Sequence, residues 1–171
     1  MAAGGTDDFD SFVVGIQSRL QRSAWLLTGN WDDAEDLVQI SLAKVWRHWD
    51  RVAGADSPEA YTRRTMLNSF LTSRRRRWHG EQPYSTLDPA PVGDAADYVA
   101  VRTSVMEALA HLSPRQRAAV VLRFFDDLGE AQVAEAMGCR PGTVKSTTSK
   151  ALSRLRLEPG LQGLVEQERQ R

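Results

Sequence analysis

Nineteen residues from Arg140 to Glu158 hold five cations and one acid, and the pattern "RPGTVKSTTSKALSRLR" places them on a helical period just after a glycine turn. The side chains of Arg140, Thr143, Lys145, Ser146, Ser149 and Lys150 are of the types that hydrogen-bond base edges or phosphate oxygens. Just upstream, Val133, Ala134, Met137, Gly138, Val144 and Thr147 supply what a helix-turn-helix needs where two helices cross closely. Ala134 is small at the crossing, Gly138 suits a positive-φ turn, and Val144 is an apolar plug in the second helix. Such a unit offers the first half of its second helix to the major groove of DNA.

A second basic block, "SRRRRW", lies about seventy residues earlier. The formal net charge of zero conceals this arrangement. Residues 61–80 carry six Arg and no acid, and residues 139–157 carry five cations and no acid, with an acidic stretch at 81–100 between them. Two basic blocks separated by acidic text predict two contact surfaces for a polyanion.

The elements that must position these blocks read as helices throughout, with no alternating strand pattern. A first helix is predicted over residues 8–27, with Phe9, Phe12, Val13, Ile16, Leu20 and Leu27 on one stripe. Asn30 is a candidate N-cap for a second helix running to about Trp49, with Asp33 three residues on as a capping-box variant. Residues 52–57 read as a loop, and Ser57-Pro58 as a cap and first turn for a helix reaching Trp78. Residues 80–97 contain three Pro and two Gly without helical period, and read as a flexible acidic linker. Helical text resumes near Tyr98 and continues to Leu157, with Ser113-Pro114 repeating the cap-and-proline start and "RQRAAVVLRFF" expected on one helix; residues 158–171 read as a polar, frayed tail. The expected fold is all-α: two small helical domains, residues 8–79 and 98–157, joined by a tether.

Composition narrows the function classes. An apolar content of 42% and a charged content of 26% suit a globular chain. No apolar run approaches the ~20 residues that cross a bilayer. The start, "MAAGGTDDFDSF", is acidic where a secretory leader would be basic and then apolar. Cys139 is the single cysteine, so no internal disulfide forms and a cytoplasmic setting is expected. His48, His79 and His111 lack carboxylate or thiol partners at metal-ligand spacing, and no phosphate-binding glycine loop or nucleophile elbow occurs. Neither catalysis, a metal nor a cofactor is expected.

On these residues a resemblance can be placed. "LSPRQRAAVVLRFF", "VAEAMGC", "GTVKS" and "ALSRLR", in that order, resemble region 4 of the extracytoplasmic-function (ECF, group 4) sigma factors of bacterial RNA polymerase, in the sigma-70 family. "LLTGNWDDAEDLVQISLAKVWRHWDRV" resembles regions 2.1–2.2 and "SPEAYTRRTMLNSFLTSRRRR" regions 2.3–2.4 of the same family. The resemblance implies an alternative sigma factor that binds core RNA polymerase and directs initiation at particular promoters. It implies that Asp33, Asp36, Leu37, Gln39 and Ile40 dock on the β′ coiled coil. It implies that Trp46, Tyr61, Arg63, Arg64, Asn68, Arg74 and Arg75 engage the melted −10 strand, with loop 52–57 receiving a flipped base and Arg76 and Arg77 continuing the track. Trp49 reads instead as core. Arg140, Thr143, Lys145, Ser146, Ser149 and Lys150 would read the −35 duplex, and the apolar face at Leu112, Val120, Leu122 and Phe124 would serve the core and the β flap. Promoter DNA and an anti-sigma factor complete the implied partners. The competing reading is a stand-alone helix-turn-helix regulator that binds duplex DNA without polymerase; the aromatic and arginine text at 46–78 weighs against it.

Overall fold

Local rules dictate where the helices begin. Asn30 sits in extended backbone and its Oδ1 accepts the Asp33 amide at 2.9 Å, starting α2. The Ser57 hydroxyl accepts the Ala60 amide at 3.1 Å at the head of the fourth helix. Ser113 and Gln116 form a reciprocal capping box around Pro114. The computed structural model describes residues 3–78 and 96–162, and the elements are α1 (Ala3–Thr28), α2 (Trp31–Trp46), α3 (Trp49–Ala53), α4 (Pro58–Trp78), α5 (Ala96–Ala110), α6 (Pro114–Val120), a π-helical turn (Val121–Phe125), α7 (Glu130–Met137) and α8 (Pro141–Leu155). No strand occurs among the described residues.

Five features differ from the sequence reading. Helix α1 begins at Ala3, five residues before the expected start. Helix α2 ends at Trp46 because the chain tightens: the Arg47 amide reaches Ala43 O and the His48 amide reaches Val45 O, after which α3 forms its own short turn from Trp49. That turn takes the first two residues of the expected loop, which narrows to 54–57. The single helix expected through Phe125 widens after Val120 to π spacing, with Asp126 N donating to Val121 O at 3.0 Å. The tail is ordered at its start: residues 159–162 form a helical turn, Gly160 lies against Ser104 of α5, and Glu158 Oε1 meets His111 Nδ1 at 2.9 Å. Most of the expected linker and residues 163–171 lie outside the described residues.

Helices α1, α2 and α4 bury Ile16, Leu20, Leu27, Leu37, Val38, Met66, Leu67 and Phe70. Helices α5 to α8 bury Met106, Leu109, Leu122, Val133, Met137, Val144 and Ala151. These two sets form one continuous cluster, because α4 packs on α7 and α1 on the π turn. A separate small cluster, Val45, Trp49 and Val52, is roofed by Phe9, Phe12 and Tyr61. Burial of each large aliphatic side chain contributes roughly 1.5–3 kcal/mol.

Candidate nucleic-acid interface

The turn between α7 and α8 is built as its residues require. Gly138 takes φ 62° and ψ 41°, its amide bonds Glu135 O at 3.2 Å, and the next amide, of Cys139, reaches back to Ala134 O at 2.9 Å. Pro141 then opens α8 at its first turn. Val133, Ala134, Met137 and Val144 are all buried where α7 and α8 meet, so α8 is held rigidly by its inner face. Its outer face carries Arg140, Thr143, Lys145, Ser146, Ser149 and Lys150, every one exposed. Thr147 and Thr148 are half-buried beneath them.

Beside α8 lies an open recess of about 210 Å³, whose lining includes Arg123, Phe124, Lys145, Ser149 and Arg156. Arg123 stacks over the Phe124 ring at 5.9 Å and its Nη1 donates to Leu128 O. Sequence reading did not place Arg123 and Arg156 beside the residues expected to read DNA; the π turn brings the first to this recess, and the end of α8 the second. Of the apolar face at Leu112, Val120, Leu122 and Phe124, the first three are buried and only Phe124, at 54% exposure, is a surface residue.

In the N-terminal half, α4 divides the expected DNA set into two stripes. Arg64, Asn68 and Arg75, at i, i+4 and i+11, face solvent. Arg63 and Arg74, also eleven apart, turn toward protein. Arg74 Nη2 donates to Thr28 O at 2.9 Å, closing the carbonyl end of α1, and its guanidinium lies 5.6 Å from the Phe70 ring. Arg63 pairs with Glu59 at 2.8 Å and lies 3.9 Å from Asp126. Trp46 is exposed and its ring meets that of Phe9 at a tilt, with centroids 4.9 Å apart, whereas Trp49 is buried, as its core reading expected. Tyr61 is half-buried against the Trp49 cluster. Residues 54–57 are exposed between α3 and α4, next to Tyr61 and its neighbours on α4. The side chains of Arg76 and Arg77 lie outside the described residues.

On α2, Asp36, Gln39 and Ile40 are exposed, Ile40 at 52%, while Asp33 is half-buried and Leu37 faces the core. Of the expected docking residues, Asp36, Gln39 and Ile40 form a short exposed acidic and apolar strip, and Leu37 is not part of it. One carboxyl departs from ordinary titration. Burial pushes Asp126 up, against the lowering effects of the Ser23 hydroxyl hydrogen bond and Arg63. Among the described residues no group of His, Cys, Asp and Glu is placed to hold a metal ion, and no helix is long and apolar enough to cross a membrane.

Comparison with known proteins adds the following. Residues 12–80 match the family described as Sigma-70 region 2, and residues 102–155 that described as Sigma-70, region 4. The chain is 39% identical over 158 residues to an RNA polymerase sigma-E factor of Streptomyces avermitilis, covering 92% of this chain and 88% of that one. It is 32% identical to the ECF RNA polymerase sigma factor SigG of Mycobacterium tuberculosis, across 86% of this chain and 48% of the relative. Among solved structures it is similar to the sigma factor RpoE in complex with the anti-sigma factor NepR from Bartonella quintana, with a TM-score of 0.72, 29% identity, and coverage of 87% and 94%.

Proposed function

The chain belongs to the sigma-70 family of RNA polymerase sigma factors, and from that premise we propose how its two halves divide the work of promoter recognition. It is an alternative sigma factor of the ECF kind, which binds core RNA polymerase and directs initiation at its own promoters. The observation that carries this over a stand-alone regulator is the N-terminal half: residues 12–80 match region 2, for which a regulator that binds only duplex DNA has no use.

Helix α8 reads the −35 duplex. Lys145, Lys150 and Arg140 anchor phosphates, and Thr143, Ser146 and Ser149 reach base edges on a helix whose inner face is locked by Val144 and Ala151. The −10 strand is taken as single-stranded DNA by α4 and its surroundings. Trp46 offers a stacking face worth roughly 1–3 kcal/mol per base, and Arg64 and Arg75 track the backbone on either side of Asn68. Extruding a base costs a few kcal/mol of stacking, which a pocket at 54–57 beside Tyr61 would offset. The exposed Asp36, Gln39 and Ile40 strip docks on the β′ coiled coil, and Phe124 on the β flap. The protein contributes binding and strand capture and no catalytic group, and it works in the cytoplasm with the polymerase. An anti-sigma factor is a partner, by likeness to the RpoE–NepR complex.

Run-off transcription tests this reading. Core polymerase stripped of sigma, with this protein and fragmented genomic DNA, is expected to give discrete transcripts that disappear with Lys145→Ala/Lys150→Ala. Duplex binding without any association with core polymerase would support the stand-alone regulator instead.

A further inference from the structure

The polar tail after α8 starts as an ordered segment, and residues 158–162 fasten the end of α8 to the corner between α5 and α6. A helix leaves its last carbonyls without partners of its own. At the end of α8 the following residues supply them. The Leu157 amide donates to Arg154 O at 3.0 Å, the Glu158 amide to Leu155 O at 3.1 Å, and Gln162 Nε2 to Arg156 O at 2.8 Å. The same segment reaches across to the neighbouring helices. Glu158 Oε1 meets His111 Nδ1, in the turn after α5, at 2.9 Å. Gly160 lies so near α5 that a Cβ built on it would stand 3.2 Å from Ser104 Cβ.

The core grips this end of α8 lightly. Val144 and Ala151 are the buried residues of the helix, and no residue from 152 to 162 is fully buried. Arg154 Nη1 reaches Gln116 Oε1 of α6 at 3.2 Å, but that contact is exposed. Exposed polar contacts contribute little one at a time. Here several are joined through one backbone turn, in which the Leu161 and Gln162 amides donate to Glu158 O at 3.1 Å. The helix end so held carries residues that face DNA. Ser149 and Lys150 lie within two turns of it, and Arg156, its C-cap, lines the recess with Lys145 and Ser149.

We propose that residues 158–162 are a brace that positions α8 for duplex reading. By closing the last carbonyls and pinning the helix end to Ser104 and His111, they keep Ser149, Lys150 and Arg156 in line with Lys145 and Ser146. A duplex then meets one straight surface. The consequence for DNA rests on the reading of α8 as the −35 reader; the brace itself does not. A helix end that frays in the free chain must be ordered on binding, and that ordering lowers affinity. Glu158, Gly160 and Gln162 are therefore positioning residues, which act through α8 and not by contact with DNA.

The test is Gly160→Leu in the full chain, which drives a side chain into Ser104 and unseats the turn without removing a charge. Hydrogen exchange at the amides of Arg156, Leu157 and Glu158 should become severalfold faster, while the buried amides of α6 and α7 stay as slow as in the wild type. Affinity for a duplex covering the −35 region of a promoter mapped by run-off transcription should fall about tenfold. Its salt slope should be unchanged, because every cation remains. Affinity for a −10 single strand should not move, which separates lost positioning from a damaged fold. His111→Ala should weaken duplex binding about threefold alone and cost nothing further in Gly160→Leu, where the pair it breaks is already apart. Unchanged exchange at the end of α8 in Gly160→Leu would overturn the brace. Faster exchange with full duplex affinity would overturn its role in reading DNA. Additive losses from the two substitutions would mean that they do not act through one brace. If the wild type maps no promoter while exchange responds as described, the brace stands and the −35 reading fails.

Discussion

Asp126 is a half-buried carboxyl just after the π turn, hydrogen-bonded to Ser23 of α1 and facing Arg63 of α4. Burial raises its pKa; Ser23, Arg63 and Arg19 pull it down and Glu59 adds to the rise. A carboxyl that holds its proton more tightly folded than unfolded stabilises the fold fully below its unfolded pKa, and that contribution is lost as pH rises through the folded value. Asn at this position carries no charge at any pH and keeps an acceptor for Ser23. Asp126→Asn should therefore gain stability relative to wild type as pH rises from about 4 to 7, read as the difference between their urea midpoints. A difference that stays constant across that range would mean that burial does not dominate this site. Individual residues also show where sequence reading stops. Arg74 and Arg75 are adjacent letters in one basic block, yet the first caps α1 and the second faces solvent. Successive residues of a helix point about 100° apart, and the packing of α4 on α1 decides which of the two meets protein.

At the scale of elements the text was legible wherever a local rule decides the outcome. Asn30, Ser57-Pro58, Ser113-Pro114 and Gly138 each mark a helix boundary by chemistry that needs no neighbours, and each is found there. The π turn at Val121–Phe125, which packs against α1, was not legible, because "VVLRFF" suits a plain α-helix. Two glycines allow the local rules to be checked with opposite signs. Neither Gly138 nor Gly15 has anything within 4 Å of a built Cβ, so space is not at issue in either case. Gly138 sits at φ +62°, where a Cβ is strained, and Gly138→Ala should lower stability by about 1–2 kcal/mol. Gly15 lies exposed inside α1, and Gly15→Ala should raise stability by roughly 0.5–1 kcal/mol. Thermal melts of the two variants should move in opposite directions; a shared direction would mean that tertiary packing overrides backbone preference at one of them.

For the whole molecule, sequence reading yields two basic surfaces but not their relation, since contacts between halves such as Arg117 to Leu26 O join residues ninety-one positions apart and leave no periodic trace. Net charge is equally silent: a chain of zero formal charge has no overall pull on DNA, so binding must come from its patches. Each patch should then show its own salt dependence on its own form of DNA. Counterion release gives a slope of log affinity against log salt of about −0.9 per phosphate neutralised on duplex and about −0.7 on single strands. Lys145→Ala/Lys150→Ala should flatten the slope on a −35 duplex by about 1.8 and leave that on a −10 single strand unchanged. Arg64→Ala/Arg75→Ala should do the reverse, flattening the single-strand slope by about 1.4. Equal losses on both DNAs from either pair would mean that one continuous surface binds both forms. The separation of slopes is the signature expected if α8 and the outer stripe of α4 are distinct readers.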